Sequence, residues 1–221
     1  MAAAPDRLDR RVVPESVIEL LRACRMTASC HLGGGAALSG AYLRHRLTGD
    51  LDLFVHDRDE MRNLVRELPT IASGCGADLS IYRDAGQLVR SRLRTTQTAV
   101  ELDVVHEPIA DLEPAVEVEG VAVESLADLR ASKLTCVLSR SEPRDLVDLY
   151  FLDRAGFPAE ADLELALAKD AGIDPGVLAW LLREFPIEPL PQMLEELSPS
   201  ELRRFRDELA ARLRDLAVGS E

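Results

Sequence analysis

The sequence contains few cysteines, and none of them lie at the spacing of a metal-binding or redox motif. The four that are present are scattered along the 221 residues: Cys24, Cys30, Cys75 and Cys136. This distribution argues against a zinc module and is typical of a protein from a reducing compartment. A chain of this length buries enough apolar surface to fold without disulfides or a structural metal. We therefore expect a cytoplasmic protein.

The sequence also lacks long apolar runs and an excess of positive charge. No uncharged run approaches the ~20 residues that cross a bilayer, and the N-terminal segment has no apolar stretch of secretory length. The formal net charge of −13 repels polyanions at long range. We therefore expect no membrane insertion and no general binding to nucleic-acid backbones, so any contact with nucleic acid has to be local.

The periodicity of apolar residues predicts mostly strands in the first part of the chain and only helices after residue 125. Strands are predicted at residues 50–55, 77–82, 87–94 and 100–105, and in a hairpin of residues 116–118 and 121–123. Helices are predicted at residues 15–25, about 37–46, 57–68, 126–139, 143–154, 162–171, 175–185 and 200–216. This order is typical of an α+β fold. We predict two domains, residues 1–125 and 126–221.

Two aspartates on one predicted strand are the first candidate site. In residues 50–55, Asp50 and Asp52 project to the same face of the strand, while Leu51 and Leu53 point into the opposite, apolar layer. Neighbouring carboxylates repel one another unless a cation lies between them, and Mg²⁺ accepts such oxygen-rich pairs while it also binds substrate phosphates. The pair predicts a metal site, and a solvated strand end is the alternative.

A run of three glycines precedes this strand and the predicted second helix. Gly33, Gly34 and Gly35 allow backbone N–H groups to approach an anion at the start of a helix, where the helix dipole also favours negative charge. A glycine run is by itself most often only a turn. Together with Asp50 and Asp52, it predicts nucleotide chemistry.

A third carboxylate is predicted on the strand at residues 100–105. In the sequence VELDVV, Glu101 and Asp103 share one face, and the apolar residues share the other. Asp103 is our candidate for completing the metal site or for acting as general base on an attacking hydroxyl. Glu101 is its competitor, and an ordinary solvated strand face is the alternative.

Lys133 lies within an apolar helix face. Leu126, Leu129 and Val137 recur around it at helical spacing, so the ammonium group needs a partner. We expect it to reach an inter-domain cleft and to meet a triphosphate or a carboxylate. Asp148, on the next predicted helix, could orient Lys133 or the nucleotide. A structural Lys133–Asp148 ion pair, or a lysine that extends to the domain edge, is the alternative.

Three further groups of polar residues have open interpretations. Arg46 ends the predicted second helix, where a cation suits either the helix dipole or a phosphate. Arg90, Arg92 and Arg94 alternate along one strand and could hold an RNA backbone or form a solvated face. The histidines show no ligand spacing for zinc, and we interpret them as structural or rim residues: His31, His45, His56 and His106.

Two separated blocks of the chain resemble a known family. The first is a G-G-x-A-x-L turn ending at Leu38, followed by H-R-L-T-x-D-L-D-L-F at residues 45–54. The second is K-L-x-x-x-L-x-R-x-x-P-R-D-L-x-D-L-Y-F-L at residues 133–152. The sequence resembles the nucleotidyltransferase superfamily with the polymerase-β-like fold, and more narrowly the AbiEii/AbiGii toxin-like nucleotidyltransferases, which include the MenT-type toxins.

The resemblance implies a fold and a reaction. The fold is α+β, with a mixed sheet, flanking helices and a C-terminal helical region. The reaction is metal-dependent transfer of a nucleoside monophosphate from an NTP to an acceptor, with Mg²⁺ or Mn²⁺ as cofactor and pyrophosphate as the leaving group. In related toxins the acceptor is the 3′ end of a tRNA, and a cognate antitoxin protein is a further implied partner.

The resemblance also assigns site residues by position. Asp50 and Asp52 match the metal-binding pair, to which Asp103 would be added, while Lys133 matches the motif lysine and Asp148 the second aspartate of its segment. Nucleotide binding is expected at Gly34, Gly35, Arg46, Thr48 and Lys133. Ala36 stands where the family commonly has Thr or Ser, so that either nucleotide binding is weakened or Ser39 or Thr48 compensates for the missing hydroxyl.

Two other functions remain open from the sequence. The same phosphate chemistry would serve the nucleotidylation of a small hydroxylated molecule such as an aminoglycoside. Alternatively, the chain would be a degenerate nucleotide-binding or antitoxin-like module that kept the fold and lost turnover, for which Ala36 is the relevant feature.

Overall fold

The computed structural model describes residues 5–96 and 98–219. The chain divides into two units, of which the first ends at Ser125 and the second begins at Leu126. The first unit contains all the described strands, and the second contains only helices. This order of elements is the α+β arrangement that the periodicity predicts.

The first unit is built on one mixed sheet of seven strands. The strands are β1 (Cys30–Gly33), β2 (Asp50–Val55), β3 (Asp78–Asp84), β4 (Leu88–Arg94), β5 (Ala99–His106), β6 (Val116–Val118) and β7 (Val121–Val123). Their order across the sheet is β3-β4-β5-β2-β1-β7-β6. β2 runs parallel to β5, and β1 runs parallel to β7. The other neighbours are antiparallel. In this strand order, β2 and β5 lie side by side in the middle of the sheet.

Helices α1 (Glu15–Arg25) and α3 (Arg58–Gly74) pack against this sheet and against each other. Asp57 caps α3, because its carboxylate accepts hydrogen bonds from the backbone N–H groups of Asp59 and Glu60. The predicted bounds of α1 are confirmed, whereas α3 continues six residues beyond its predicted end at Leu68.

Burial alternates along β2 as the sequence predicts. Leu51, Leu53 and Val55 are buried, while Asp50 and the other residues of the opposite face are half-buried. The two faces of β2 therefore have different environments. One contributes to the apolar core, and the other holds the aspartates where solvent reaches them.

The segment between β1 and β2 differs from its prediction. Helix α2 (Gly34–Ala37) begins at Gly34 rather than near Ala37, continues as a π-helix over Leu38–Leu43, and ends where Arg44 takes a left-handed φ of 56°. Strand β1, just before it, was not predicted, because its four residues are all buried and show no alternation. Arg46 therefore lies beyond the helix end, and its predicted interaction with the helix dipole is wrong.

The hairpin of β6 and β7 is confirmed, with Val118 opposite Val121. Its two linking residues have positive φ angles, 51° at Glu119 and 82° at Gly120, as two-residue turns with both central residues left-handed require. Arg10 forms a forked ion pair with the Glu119 carboxylate at 2.6 and 2.9 Å. These hydrogen bonds, together with one from the backbone N–H of Leu8, lower the pKa of Glu119 to about 2.

The second unit consists of α4 (Leu126–Ser139), α5 (Pro143–Arg154), a 3₁₀ turn (Ala159–Asp162), α6 (Leu163–Lys169), α7 (Pro175–Leu182) and α8 (Pro199–Gly219). The predicted bounds of α4 and α5 are confirmed. The predicted helix at residues 162–171 is divided between the 3₁₀ turn and α6. Within residues 5–96 and 98–219, none of the helices has the length and apolar character that a bilayer span requires.

Candidate active site

Two central strands carry the acidic residues of the candidate site in matched register. Asp52 on β2 lies opposite Asp103 on β5, and Asp50 lies opposite Glu101. Directly paired residues of adjacent strands project to the same face of a sheet. The four carboxylates therefore lie together on one face of the sheet of the first unit, and we call this group the acidic row. The sequence predicted the face of each strand, but only the pairing of β2 with β5 brings them together.

Asp103 is the more enclosed of the two β5 acids. The residue is 9% exposed, and burial raises its pKa, with Arg90 opposing and the charge of Asp50 adding to the shift. Arg90 is opposite Asp103 on β4, and its Nε lies 3.2 Å from Oδ2. Oδ1 of Asp103 is buried and has no hydrogen-bond partner among the described residues.

Glu101 has a different environment. Arg92 donates two hydrogen bonds to its Oε1, at 2.6 and 2.8 Å. These bonds, with a further one from Tyr82, lower the pKa of Glu101. Oε1 of Glu101 is committed to Arg92, while Oε2, like Oδ1 of Asp103, is buried without a hydrogen-bond partner among the described residues. The position of Asp103 opposite Asp52 and its smaller exposure favour it as the third acid of the site.

Thr48 fixes the carboxylate of Asp50. Its hydroxyl lies 2.6 Å from Oδ1 and 3.0 Å from the backbone oxygen of the same aspartate. A threonine hydroxyl has one proton to donate, so in this arrangement Thr48 orients Asp50. Its contact with a nucleotide, in place of the hydroxyl missing at Ala36, stays a prediction. Ser39 is fully buried, with its hydroxyl donating to the backbone oxygen of Arg46 at 2.6 Å.

The glycine run begins directly beside the aspartates. Gly33, the last residue of β1, is paired with Asp52. Gly34 has a φ of 59°, and a Cβ there would collide with Oδ2 of Asp52. The backbone N–H of Gly34 is 3.2 Å from Oε2 of Glu124. The turn thus holds Asp52 closely and presents an amide to a carboxylate, as expected of an anion-binding segment.

Arg46 lies against the same turn. The residue is 2% exposed, and a Cβ at Gly35 would lie 2.5 Å from its Nη2. Its Nη1 donates to the backbone oxygen of Leu47 at 3.1 Å. Glycine permits this close approach because it has no Cβ. The buried positive charge of Arg46 therefore lies directly beside the glycine turn, the candidate phosphate-binding segment. The predicted role of Arg46 toward phosphate stays open, although its predicted position in a helix is wrong.

Gly34→Ala is expected to destabilise the first unit and to slow the nucleotidyl transfer that the resemblance implies. The left-handed φ and the collision with Asp52 together cost about 1–3 kcal/mol, and displacing a site carboxylate by about 1 Å lowers a rate by about a hundredfold. Denaturant unfolding and single-turnover transfer measure the two effects. Gly49→Ala is the matched control, because its added Cβ meets no atom within 4 Å. Equal behaviour of the two variants would contradict the role assigned to Gly34.

The donor set of the acidic row fits a magnesium ion. Asp50, Asp52 and Asp103 offer only oxygen ligands, which Mg²⁺ prefers. The buried Oδ1 of Asp103, without a hydrogen-bond partner in the described ranges, is a group whose burial is costly unless something else engages it. The residues present are therefore compatible with the divalent ion that the resemblance implies.

In the second unit, Lys133 lies in a buried network of charges. Its ammonium is 2.8 Å from Oδ2 of Asp148 and 3.4 Å from Oδ1 of Asp145. Lys133 is 3% exposed, and both aspartates are fully buried. Arg140 adds two hydrogen bonds of 2.9 Å to Asp145. The apolar helix face around Lys133 indicated that its ammonium group needs a partner. Asp148 is that partner, as in the structural ion pair that the sequence analysis gave as the alternative.

Glu124 contacts the glycine turn, and sequence reasoning missed it. It is 6% exposed and follows β7 directly. Its backbone N–H donates to the carbonyl of Leu32, and its carboxylate accepts from Gly34. The short parallel contact of β1 with β7 creates this position, and no local pattern indicates it. The isolated charge after the strand pattern was the only available signal.

Two solved structures have the same fold. One is JHP933 from Helicobacter pylori, with a TM-score of 0.59 at 19% identity, over 95% of this chain and 96% of that one. The other is MenT4, a nucleotidyltransferase toxin from Mycobacterium tuberculosis, with a TM-score of 0.62 at 16% identity, over 92% of this chain and 85% of that one. The predicted polymerase-β-like fold is confirmed.

The family follows from the sequence match. The model of the AbiEii family, described as a nucleotidyl transferase toxin of type IV toxin–antitoxin systems, matches residues 20–219. This match covers most of the chain, so the protein belongs to the AbiEii nucleotidyltransferase toxins, as its two sequence blocks predict. Membership implies an NTP substrate and an antitoxin partner. No curated protein matches the chain.

Proposed function

We propose that this protein is a cytoplasmic toxin that transfers a nucleoside monophosphate from an NTP to the 3′ end of a tRNA in a Mg²⁺-dependent reaction. The observation that carries the proposal is the register of β2 and β5, which sets Asp52 directly opposite Asp103 and beside the glycine turn. The cytoplasm is where both substrates are found. Mn²⁺ is the alternative ion for the same oxygen ligands.

The residues of the first unit have complementary roles in this proposal. Asp50, Asp52 and Asp103 hold the cation, and Thr48 keeps the carboxylate of Asp50 in place. When bound, Mg²⁺ supplies Lewis-acid polarisation of the phosphate that is attacked. Asp103 accepts the proton of the attacking hydroxyl, a role suited to a carboxylate whose pKa is raised by burial.

The glycine turn and Arg46 bind the triphosphate. Gly34 directs an N–H toward the carboxylate of Glu124, and Arg46 lies against Gly35. Backbone N–H groups and a buried guanidinium are the two donors that recognise phosphate oxygens. In the proposal, triphosphate oxygens take the place of the Glu124 carboxylate at the turn.

A tRNA acceptor is supported by the arginines of β4. Arg90 and Arg92 lie next to the acidic row, paired with Asp103 and Glu101, and Arg94 follows on the same face. They form a local basic stripe on a protein with a net charge of −13. A stripe that begins at the reacting carboxylates suits the backbone of an RNA end delivered to them.

Lys133 and Asp148 are proposed as further site residues on the resemblance alone. The ammonium of Lys133 is held by Asp148 within the second unit. A contact of Lys133 with the pyrophosphate part of the nucleotide stays a prediction. The KM of the Lys133→Met variant for the NTP tests it.

Transfer of label from each NTP, labelled at the α-phosphate, to total tRNA tests the function. We expect label on the tRNA 3′ end with Mg²⁺ or Mn²⁺ and no transfer after chelation. Oxidation of the tRNA 3′ terminus with periodate, which destroys the acceptor hydroxyls, is the matched control and is expected to abolish labelling. Transfer to a small hydroxylated compound instead of tRNA would replace the proposed acceptor. Absence of transfer to tRNA, protein and small molecules would contradict the proposed reaction.

A further inference from the structure

Two histidines and one aspartate meet at the end of the acidic face of the sheet. His31 is on β1, His56 follows β2 directly, and Asp111 lies in the segment after β5. The antiparallel register pairs His31 with Phe54, so that His56, two residues further on, projects to the same side. One ligand atom from each of the three residues lies within 4.8 Å of the others. Sequence spacing gave no indication of this cluster, because the residues come from three segments.

The distances between the ligand atoms suit one metal ion. Nε2 of His56 is 3.2 Å from Oδ1 of Asp111, and Nε2 of His31 is 3.9 Å from the same oxygen. Metal–ligand bonds of about 2.0–2.1 Å in a tetrahedral site separate neighbouring ligand atoms by roughly 3.3 Å. The His56–Asp111 separation agrees with this value, the His31–Asp111 separation exceeds it by about 0.6 Å, and all three ligand atoms lie within 4.8 Å of one another.

The orientation of His56 favours a ligand role. Its Nδ1 lies 2.7 Å from the backbone oxygen of Glu107, an acceptor, so Nδ1 carries the proton. In the neutral ring, Nε2 then presents its lone pair to the carboxylate of Asp111, and either a proton or a metal ion between these two acceptors satisfies both. A backbone carbonyl that fixes the far nitrogen of a histidine is the usual support of a metal-bound imidazole.

The cluster is distinct from the acidic row. The ring of Phe54 stacks on that of His31 with centroids 5.7 Å apart, and Phe54 lies between Asp52 and His56 along the same face of β2. His31 is 6% exposed, so its ring is held in place by packing. The ligand sets differ as well, because the acidic row offers only oxygen and this cluster offers two imidazoles.

We propose that His31, His56 and Asp111 bind a divalent transition-metal ion of the zinc type, separate from the magnesium of the proposed reaction. Imidazole ligands select zinc and related ions, whereas magnesium prefers oxygen. Three protein ligands leave a fourth position for water or another donor. The ion joins the segment containing Asp111 to β1 and to the end of β2, and it thereby stabilises this end of the two interior strands, next to the acidic row.

Titration of the metal-free protein with Zn²⁺ tests this site, and Co²⁺ gives a spectroscopic readout of tetrahedral nitrogen and oxygen ligation. We expect one high-affinity ion per chain and a rise in thermal stability when it binds. Asp111→Asn and His56→Gln are each expected to weaken binding by more than about tenfold, since removing even a supporting residue of a metal site costs that much. Asp111 lies outside the helices and strands, so Asp111→Asn disturbs folding less than His56→Gln.

Two control variants locate the ion. His106 pairs with Val55 and so projects from the opposite face, and His106→Gln is expected to leave zinc binding unchanged. Asp52→Asn is expected to leave it unchanged as well, although it removes a proposed magnesium ligand. Equal zinc affinity in the wild type, Asp111→Asn and His56→Gln would overturn the proposal, as would the absence of binding to the wild type. Loss of zinc binding in Asp52→Asn would instead assign the ion to the acidic row.

Discussion

Asp52→Asn is expected to reduce nucleotidyl transfer by at least about a thousandfold while the protein stays folded. Asparagine keeps the shape of the side chain and removes the negative charge, and the transition-state stabilisation that a bound cation supplies is worth several kcal/mol, at 1.36 kcal/mol for each factor of ten. Stability is expected to be equal or higher, because repulsion within the acidic row decreases. Single-turnover transfer and denaturant unfolding measure the two quantities.

A growth assay extends this prediction to the toxin activity of the family. Expression of the wild type without its antitoxin is expected to arrest growth, and Asp52→Asn is expected to relieve the arrest at an equal protein level. Asp59→Asn, an exposed change in the first turn of α3, is the matched control and is expected to remain toxic. Transfer by Asp52→Asn at the wild-type rate would contradict the assigned metal site.

The same assay distinguishes the two acids of β5. Asp103 faces Asp52 and is the more enclosed of the two, although each has one buried oxygen without a hydrogen-bond partner in the described residues. Glu101 is held by Arg92. Asp103→Asn is therefore expected to approach the loss seen for Asp52→Asn, and Glu101→Gln to cost far less. The reverse order would assign the third carboxylate to Glu101.

Lys133→Met is expected to lower the free energy of unfolding by about 3–5 kcal/mol, the usual effect of removing one partner of a buried ion pair. The substitution fills a similar volume but takes the ammonium from two fully buried carboxylates, Asp145 and Asp148. Denaturant unfolding of the purified variant measures the loss. A change smaller than about 1 kcal/mol would show that the network contributes little to stability.

A second variant separates the structural role of Lys133 from its predicted contact with the nucleotide. Lys169 forms a similar buried pair with Asp128, at 2.6 Å in the same unit, so Lys169→Met is a matched loss of a buried cation. Both variants are expected to be destabilised, and only Lys133→Met is expected to raise KM for the NTP. An unchanged KM in a folded Lys133→Met protein would contradict the contact of Lys133 with the nucleotide. The ion pair with Asp148 would then be its whole role.

Local sequence patterns determined a large part of this protein. Alternation of apolar and acidic residues fixed which face of β2 holds Asp50 and Asp52, because a strand has a period of two residues. Helical periodicity gave both ends of α4 and α5, and the residues of the two-residue turn gave the hairpin at Glu119 and Gly120. Two blocks of residues identified the family before any geometry was known. All these features depend on neighbours within a few positions along the chain.

Tertiary structure decided the features that depend on distant segments. The placement of Asp103 opposite Asp52 and of Glu101 opposite Asp50 follows from the register of β2 with β5. The partner of Lys133 follows from the packing of α4 on α5. The meeting of His31, His56 and Asp111 requires the buried strand β1, which shows no alternation. Strand register and helix packing are set by the burial of the whole core. For this reason no single stretch of the sequence contains them.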